Sequence, residues 1–191
     1  MANKTFNLII AGVGGQGIIT SVSILDEACL LQGFDVKSSE LHGLSQRGGS
    51  VLTHIRFGKK VYSPMVESGG ADLLIGLELT ETLRFAGFAG KNANFVVNNH
   101  YMPFEGNLPK EEILGKLKGL AKEKLHLVLA SDACEKKLQK QVLAGVYLLG
   151  YASLKKLIPI KPEFMLKAIE NIIPEKYREI NIKAFNLSKN D

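Results

Sequence analysis

Cysteine is nearly absent from this sequence: Cys29 and Cys134 are the only two in 191 residues, and neither belongs to a CxxC pair or a Cys/His cluster. The chain alone therefore has no ligand set for an iron–sulfur centre or a structural zinc, and any redox chemistry it serves must lie elsewhere. The four histidines, His42, His54, His100 and His126, lack metal-ligand spacing, which argues against a metal site. Long apolar runs are missing as well. Phe6 to Ala11 and Asp72 to Leu77 are strand-sized, so a soluble protein is expected. The opening MANKTFNLIIAG enters an apolar strand at once, with neither a long apolar leader region nor a small-residue cleavage site, and a cytoplasmic location is expected. Charge of one sign is not concentrated anywhere. The formal net charge is +5, but the lysines of KEEILGKLKGLAKEKL alternate with glutamate, giving a mixed solvated helix face. With no basic patch carrying interleaved aromatics, no nucleic-acid partner is expected.

What is present is enough for a sizeable core: 46% of the residues are hydrophobic. With no repeats and no low-complexity linker, residues 1–185 read as one domain and residues 186–191 as a frayed tail. Asn7 to Ala11 reads as a buried strand, Ile18 to Leu31 as a helix closed by Gly33, and Phe34 to Lys37 as a second strand, a βαβ unit of the kind that builds a parallel sheet. Ser38 to Ser50 reads as an ordered polar loop, Val51 to Phe57 as a half-exposed strand, and Val61 to Ser63 as its hairpin return. Strands follow at Asp72 to Gly76, Ala93 to Asn98 and Leu125 to Ala130, separated by helices near Glu78 to Phe85 and Lys110 to Lys124. The remainder reads as helical, over Lys137 to Leu149, Pro162 to Ile172 and Pro174 to Ala184. The fold class expected is a Rossmann-like three-layer α/β sandwich with a mostly parallel sheet and a helical C-terminal extension.

Two loops carry the chemistry. Gly12-Val13-Gly14-Gly15-Gln16-Gly17 fits G-x-G-x-x-G and stands after a strand and before a helix, where glycines permit a tight turn and close backbone approach and where helix N–H groups attract an anion. A dinucleotide site would add an acidic residue about twenty positions on. Glu40 is the nearest, but Lys37, Ser38 and Ser39 precede it, and it falls within the polar stretch. The same glycines could equally serve strand-to-helix packing with no ligand. The second loop, Ser39-Glu40-Leu41-His42-Gly43-Leu44-Ser45-Gln46-Arg47-Gly48-Gly49-Ser50, places an imidazole, an amide and a guanidinium beyond a strand's carboxyl end, where ligands and partners of open α/β sheets collect. Its bland alternative is a turn with a surface arginine. Cys29 on an apolar helix face reads as a packing thiol, Cys134 has no histidine to activate it, and His54 reads as a structural histidine.

Taken in order, GVGGQGI and SELHGLSQRGGSVLTHIRFG resemble the gamma-domain family of pyruvate and 2-oxoacid ferredoxin/flavodoxin oxidoreductases. More closely, they are similar to the beta subunits of its indolepyruvate:ferredoxin branch. The likeness continues through ADLLIGLE, NFVVNN and QVLAGVYLLG, so it covers most of the chain; Leu44-Ser45 within HGxxQRGGS is a mild departure. The resemblance implies a non-catalytic subunit of an assembly that oxidatively decarboxylates an aryl 2-oxoacid to an acyl-coenzyme A and passes electrons to ferredoxin. It also implies that thiamine diphosphate, magnesium and iron–sulfur clusters belong to a larger alpha subunit, and that this chain is inactive alone. The sequence agrees in having no thiamine–magnesium GDG stretch. On this reading Gly12, Gly14, Gly15, Gln16 and Gly17 present backbone N–H groups to coenzyme A phosphates or to the partner. Glu40, His42, Gln46, Arg47, Gly48, Gly49 and Ser50 line the subunit boundary near the thiamine site. The residues alone also leave open a stand-alone dinucleotide-dependent oxidoreductase and a non-enzymatic ligand-binding module.

Overall fold

The computed structural model describes residues 5–43 and 48–190. Six strands, β1 (Phe6–Val13), β2 (Asp35–His42), β3 (Ser50–Gly58), β4 (Ala71–Gly76), β5 (Ala89–Asn98) and β6 (Leu125–Val128), form one sheet in the order β2-β3-β1-β4-β5-β6. Five strands point the same way; β3 alone is antiparallel to both of its neighbours. Among the described residues seven α-helices cover the sheet: α1 (Ile18–Leu31), α2 (Leu79–Arg84), α3 (Lys110–Ala121), α4 (Ala130–Leu138), α5 (Ala144–Leu154), α6 (Pro162–Ile172) and α7 (Glu175–Leu187).

The alternation of side chains along a strand divides the core in two. Leu8, Ile10, Leu73, Ile75 and Val96 point to the side of α1 and the C-terminal helices, whereas Ile9, Leu74, Phe95 and Val97 point to the side of α2 and α3. The result is the expected three-layer α/β sandwich. The C-terminal helices do more than extend it. Helix α5 is buried from Ala144 through Ser153, with no solvent face, because α1, α6 and α7 close around it. Close packing there needs small residues: a Cβ at Gly150 would meet the Phe185 carbonyl.

Several sequence expectations are corrected. The stretch Ser38 to Ser50 is not all loop, since Ser38 to His42 complete β2 and Ser50 begins β3. Eight consecutive residues of this polar strand pair with β3, so backbone pairing at a sheet edge overrides composition. The βαβ unit keeps its direction but not its adjacency, because β3 is inserted between β1 and β2. β3 is not half-exposed: Val51 through Ile55 are all buried, with sheet neighbours on both edges, α1 over one face, and Val66 and Phe88 against His54 on the other. Val61 to Ser63 form no returning strand; the Val61 N–H is held by the Asp35 carboxylate at 2.9 Å. The helix expected over Lys137 to Leu149 is broken at Gln139, whose φ of 53° ends α4, and the chain passes through a 3-10 turn at Gln141–Leu143 before α5 begins at Ala144. Finally, the helix expected to end at Ala184 runs to Leu187 as α7, and Ser188 is buried with its hydroxyl donating to the Phe185 carbonyl at 2.6 Å.

Candidate functional site

The connections after β1 and β4 leave in opposite directions: β1 is followed by α1 on one face and leads to β2, while β4 is followed by α2 on the other face and leads to β5. A crevice at the carboxyl ends of β1 and β4 follows from that divergence, and it is where open α/β sheets bind ligands. A cavity of about 470 Å³ opens there, lined by Gly14, Gly15, Gln16, His100, Met102 and Ser131 among others. A second, of about 520 Å³, lies across the glycine loop between the start of α1 and the end of β2, with Ile19, Thr20, Glu40, His42 and Val51 on its walls. Gly14, Gly15 and Val142 border both, so the glycine loop is the ridge between them.

The loop's conformation follows from its residues. Gly15 (φ 101°) and Gly17 (φ 75°) adopt left-handed backbone that other residues rarely tolerate, and Gly17 is the N-cap of α1. Gly17 also faces a neighbouring backbone, since a Cβ there would lie 3.0 Å from the Val142 carbonyl. Gln16 does not reach outward. Its Oε1 accepts from the Val13 N–H at 2.8 Å and its Nε2 donates to the Leu77 carbonyl at 3.5 Å, so it closes the loop on itself and ties β1 to β4. Gly12 makes room for that fold-back, a Cβ there lying 2.7 Å from Gln16 Oε1. No acidic side chain stands in the first turn of α1, which leaves its positive dipole end uncompensated from within.

The second loop is locked to the first. The Gly14 N–H donates to the Gly49 carbonyl at 2.8 Å and the Gly48 N–H donates to the Gly14 carbonyl at 3.1 Å, so both glycine clusters make one backbone unit. Glu40 and His42 face the glycine loop across the second cavity; His42 is exposed, with Nδ1 3.1 Å from its neighbour's carbonyl at Gly43. Ser50 turns away from the cavities and donates to the Glu81 carboxylate. Gln46 and Arg47, together with Leu44 and Ser45, lie outside the described residues.

Sequence reasoning missed the residues that build the crevice floor. Asn98, buried at the end of β5, donates to the Leu77 carbonyl at 3.0 Å and to Ser131 Oγ at 2.7 Å, and accepts from the Ser131 N–H at 3.1 Å. Glu78 and Glu81 are also buried (1% and 5% exposed). His100 lines the first cavity and its carbonyl accepts from the Leu79 N–H at 2.9 Å. The available signal was position: LIGLE and VVNNH both run past a strand's carboxyl end into the switch point.

The cysteines do not fit a cluster. Both are fully buried in the core on α1 and α4, and burial pushes both thiols up, that of Cys134 to about 12. Among the described residues no group of three or more His, Cys, Asp or Glu side chains could hold a metal ion, and no helix is long and apolar enough to cross a membrane.

The sequence matches the model of the pyruvate ferredoxin/flavodoxin oxidoreductase family over residues 7–190. The chain belongs to this family. Curated relatives include the indolepyruvate oxidoreductase subunit IorB of Pyrococcus horikoshii, 33% identical over 190 residues that span 96% of this chain and 94% of that protein. The subunit of the same name from Archaeoglobus fulgidus is 34% identical over 194 residues, with the same coverage of each. Among solved structures, the gamma subunit of keto/oxoacid ferredoxin oxidoreductase from Geobacter sulfurreducens superposes with a TM-score of 0.70 at 18% identity, covering 96% of this chain and 95% of that one. A 2-oxoglutarate:ferredoxin oxidoreductase from Magnetococcus marinus, solved with 2-oxoglutarate, coenzyme A and succinyl-CoA bound, gives 0.74 at 19% identity over 99% of this chain. This chain corresponds to 31% of that polypeptide. At such identities the structural likeness carries the fold.

Proposed function

We propose that this chain is the small subunit of a 2-oxoacid:ferredoxin oxidoreductase of the indolepyruvate type. In the assembled enzyme an aryl 2-oxoacid loses its carboxyl group as carbon dioxide, the electrons released pass to ferredoxin, and the acyl group is transferred to coenzyme A. Thiamine diphosphate, magnesium and the iron–sulfur clusters belong to a larger alpha subunit, and no step of the chemistry is routed through residues of this chain. Its own contribution is shape: the glycine loop offers backbone N–H groups at the start of α1 to an anionic group, and Glu40, His42, Gly48 and Gly49 border the alpha subunit, a boundary to which Gln46, Arg47 and the backbone of Ser50 are also assigned. The reading rests on one observation above all, the paired backbone bonds between Gly14 and Gly48-Gly49, which turn two separate motifs into one surface at the switch point. Exposed apolar side chains around that surface, Ile19, Leu41, Met102 and Val142, suit a protein partner.

Co-purification and turnover test the proposal. The chain alone should be inactive; with its cluster-bearing partner it should support coenzyme A-dependent, ferredoxin-linked oxidation of an aryl 2-oxoacid. Arg47→Lys should impair the complex, since lysine keeps the charge but loses the two-pronged geometry that recognises carboxylate or phosphate. Glu40 beside the glycine loop favours one competing reading, a dinucleotide site. Thermal stabilisation of the isolated chain by NAD, with none of the complex by coenzyme A, would support that reading instead.

A further inference from the structure

Two buried glutamates stand at the start of α2, one as its N-cap and one in its first turn, on the opposite sheet face from α1, and each carboxylate is committed to a different part of the crevice. Glu78, the N-cap residue, accepts from the Glu81 N–H through Oε2 at 2.9 Å and from the Met102 N–H through Oε1 at 3.1 Å. Met102 lines the first cavity. Glu81 accepts from the Ser50 hydroxyl and from Arg84 Nε, the latter at 3.1 and 3.2 Å to its two oxygens. Ser50 pairs with Val13 at the end of β1 and directly follows Gly48 and Gly49, which bond to Gly14. Burying a carboxylate is costly where an apolar residue would pack as well, so two of them one turn apart call for a reason beyond packing.

We infer that Glu81, acting through Ser50, and Glu78, acting through the Met102 amide, are positioning residues for the reaction centre. They anchor the two walls of the switch-point crevice to one rigid turn of helix. Ser50 is the pivot: its backbone continues β3 while its side chain ties the second loop to α2, which fixes the loop relative to the glycine ridge. This inference rests on the proposed function, because it assigns the anchored loops to the alpha-subunit boundary.

The test uses the assembled two-subunit enzyme carrying Ser50→Val, Ser50→Thr, Glu81→Ala and the Ser50→Val/Glu81→Ala double change. Valine and threonine have nearly the same shape, so only the hydroxyl distinguishes them. Ser50→Val should lower kcat about tenfold, the scale of a small misplacement near a reaction centre. Its subunit melting temperature should fall by only a few degrees, since Arg84 still pairs with Glu81. Ser50→Thr should restore turnover, and the double change should cost no more than Glu81→Ala alone. Wild-type kcat in Ser50→Val, equal loss in valine and threonine variants, or additive losses in the double variant would overturn the inference. If Glu81→Ala does not fold, the valine–threonine pair decides alone. Failure of the unmutated complex to oxidise any 2-oxoacid would instead sink the functional reading.

Discussion

Asn98 and Thr53 are buried to the same degree, 1% and 0% exposed, yet they stand in opposite chemical situations. Asn98, at the crevice, makes three hydrogen bonds that join β4, β5 and the start of α4. Thr53, inside β3, has a hydroxyl with no partner among the described residues, and buried Asp26 Oδ1 and His54 Nε2 are likewise unpartnered there. The crevice set, Asn98, Ser131, Glu78 and Glu81, is bonded to backbone and loops. The set around β3 and α1 is bonded more sparsely: among the described residues Asp26 accepts from the Ser38 hydroxyl at 2.6 Å and His54 from the Val66 N–H at 3.2 Å. Satisfied polar groups in a core impose geometry, whereas unsatisfied ones lower stability without specifying anything. The bonded set stands at the carboxyl ends of β4 and β5, although Asn99 Oδ1 beside it has no partner among the described residues.

Removing the best-connected member should have the largest effect. Asn98→Ala strips the Leu77 carbonyl and Ser131 of their partner inside a closed site and should destabilise the subunit by about 3 kcal/mol in a urea titration. A loss below about 1 kcal/mol would erase the contrast. Acid should act next, through His54 and His126. Burial lowers the basicity of His54, and burial together with Lys155 lowers that of His126. Both imidazoles therefore favour folding in the neutral form. Their contribution is complete above the unfolded pKa and is lost as pH falls through that value toward the folded one, with a slope of at most about 1.4 kcal/mol per pH unit for each group. Denaturation curves between about pH 7 and 5 should show the decline, and His54→Gln should flatten it.

Asp26 should respond in the other direction. Burial first, with repulsion from Glu40, raises its pKa against the opposing Ser38 hydrogen bond, so the folded state disfavours its charge. Stability from this site is greatest when the carboxyl is protonated and declines as pH rises through the unfolded and then the folded value. Asp26→Asn should accordingly raise the melting temperature at pH 7 by less than the Asn98 change lowers it, and the gain should vanish in acid. The smallest change belongs to Thr53→Val, which replaces an unpartnered hydroxyl by a methyl of the same shape. It should be neutral or stabilising by up to about 1 kcal/mol in the same titration. A clear loss would reveal a partner for that hydroxyl and place Thr53 with the crevice set.

Helix α1 was legible to its ends, since apolar residues at helical spacing are bounded by Gly17 and Gly33, both at positive φ. The motifs were legible for the same reason: glycine is required by local backbone geometry, which a sequence displays directly. Edge strand β2 was hidden because Ser38, Ser39 and Glu40 look like loop, and only pairing with β3, a longer-range fact, makes them strand. The break at Gln139 was hidden by a continuous apolar period. Glu78 and Glu81 were hidden most completely, since a sequence does not show which carboxylates are buried or that Ser50, some thirty residues earlier, is the partner of one of them.

The reversal of β3 has a mechanical consequence. Because β2 and β3 are antiparallel neighbours, the stretch between His42 and Ser50 is clamped at both ends by strands already in register, with His42 opposite Val51. Strand pairing, and not a side-chain contact, therefore delivers Gly48 and Gly49 to the backbone of Gly14, so the meeting of the two glycine clusters inherits the stiffness of the sheet itself.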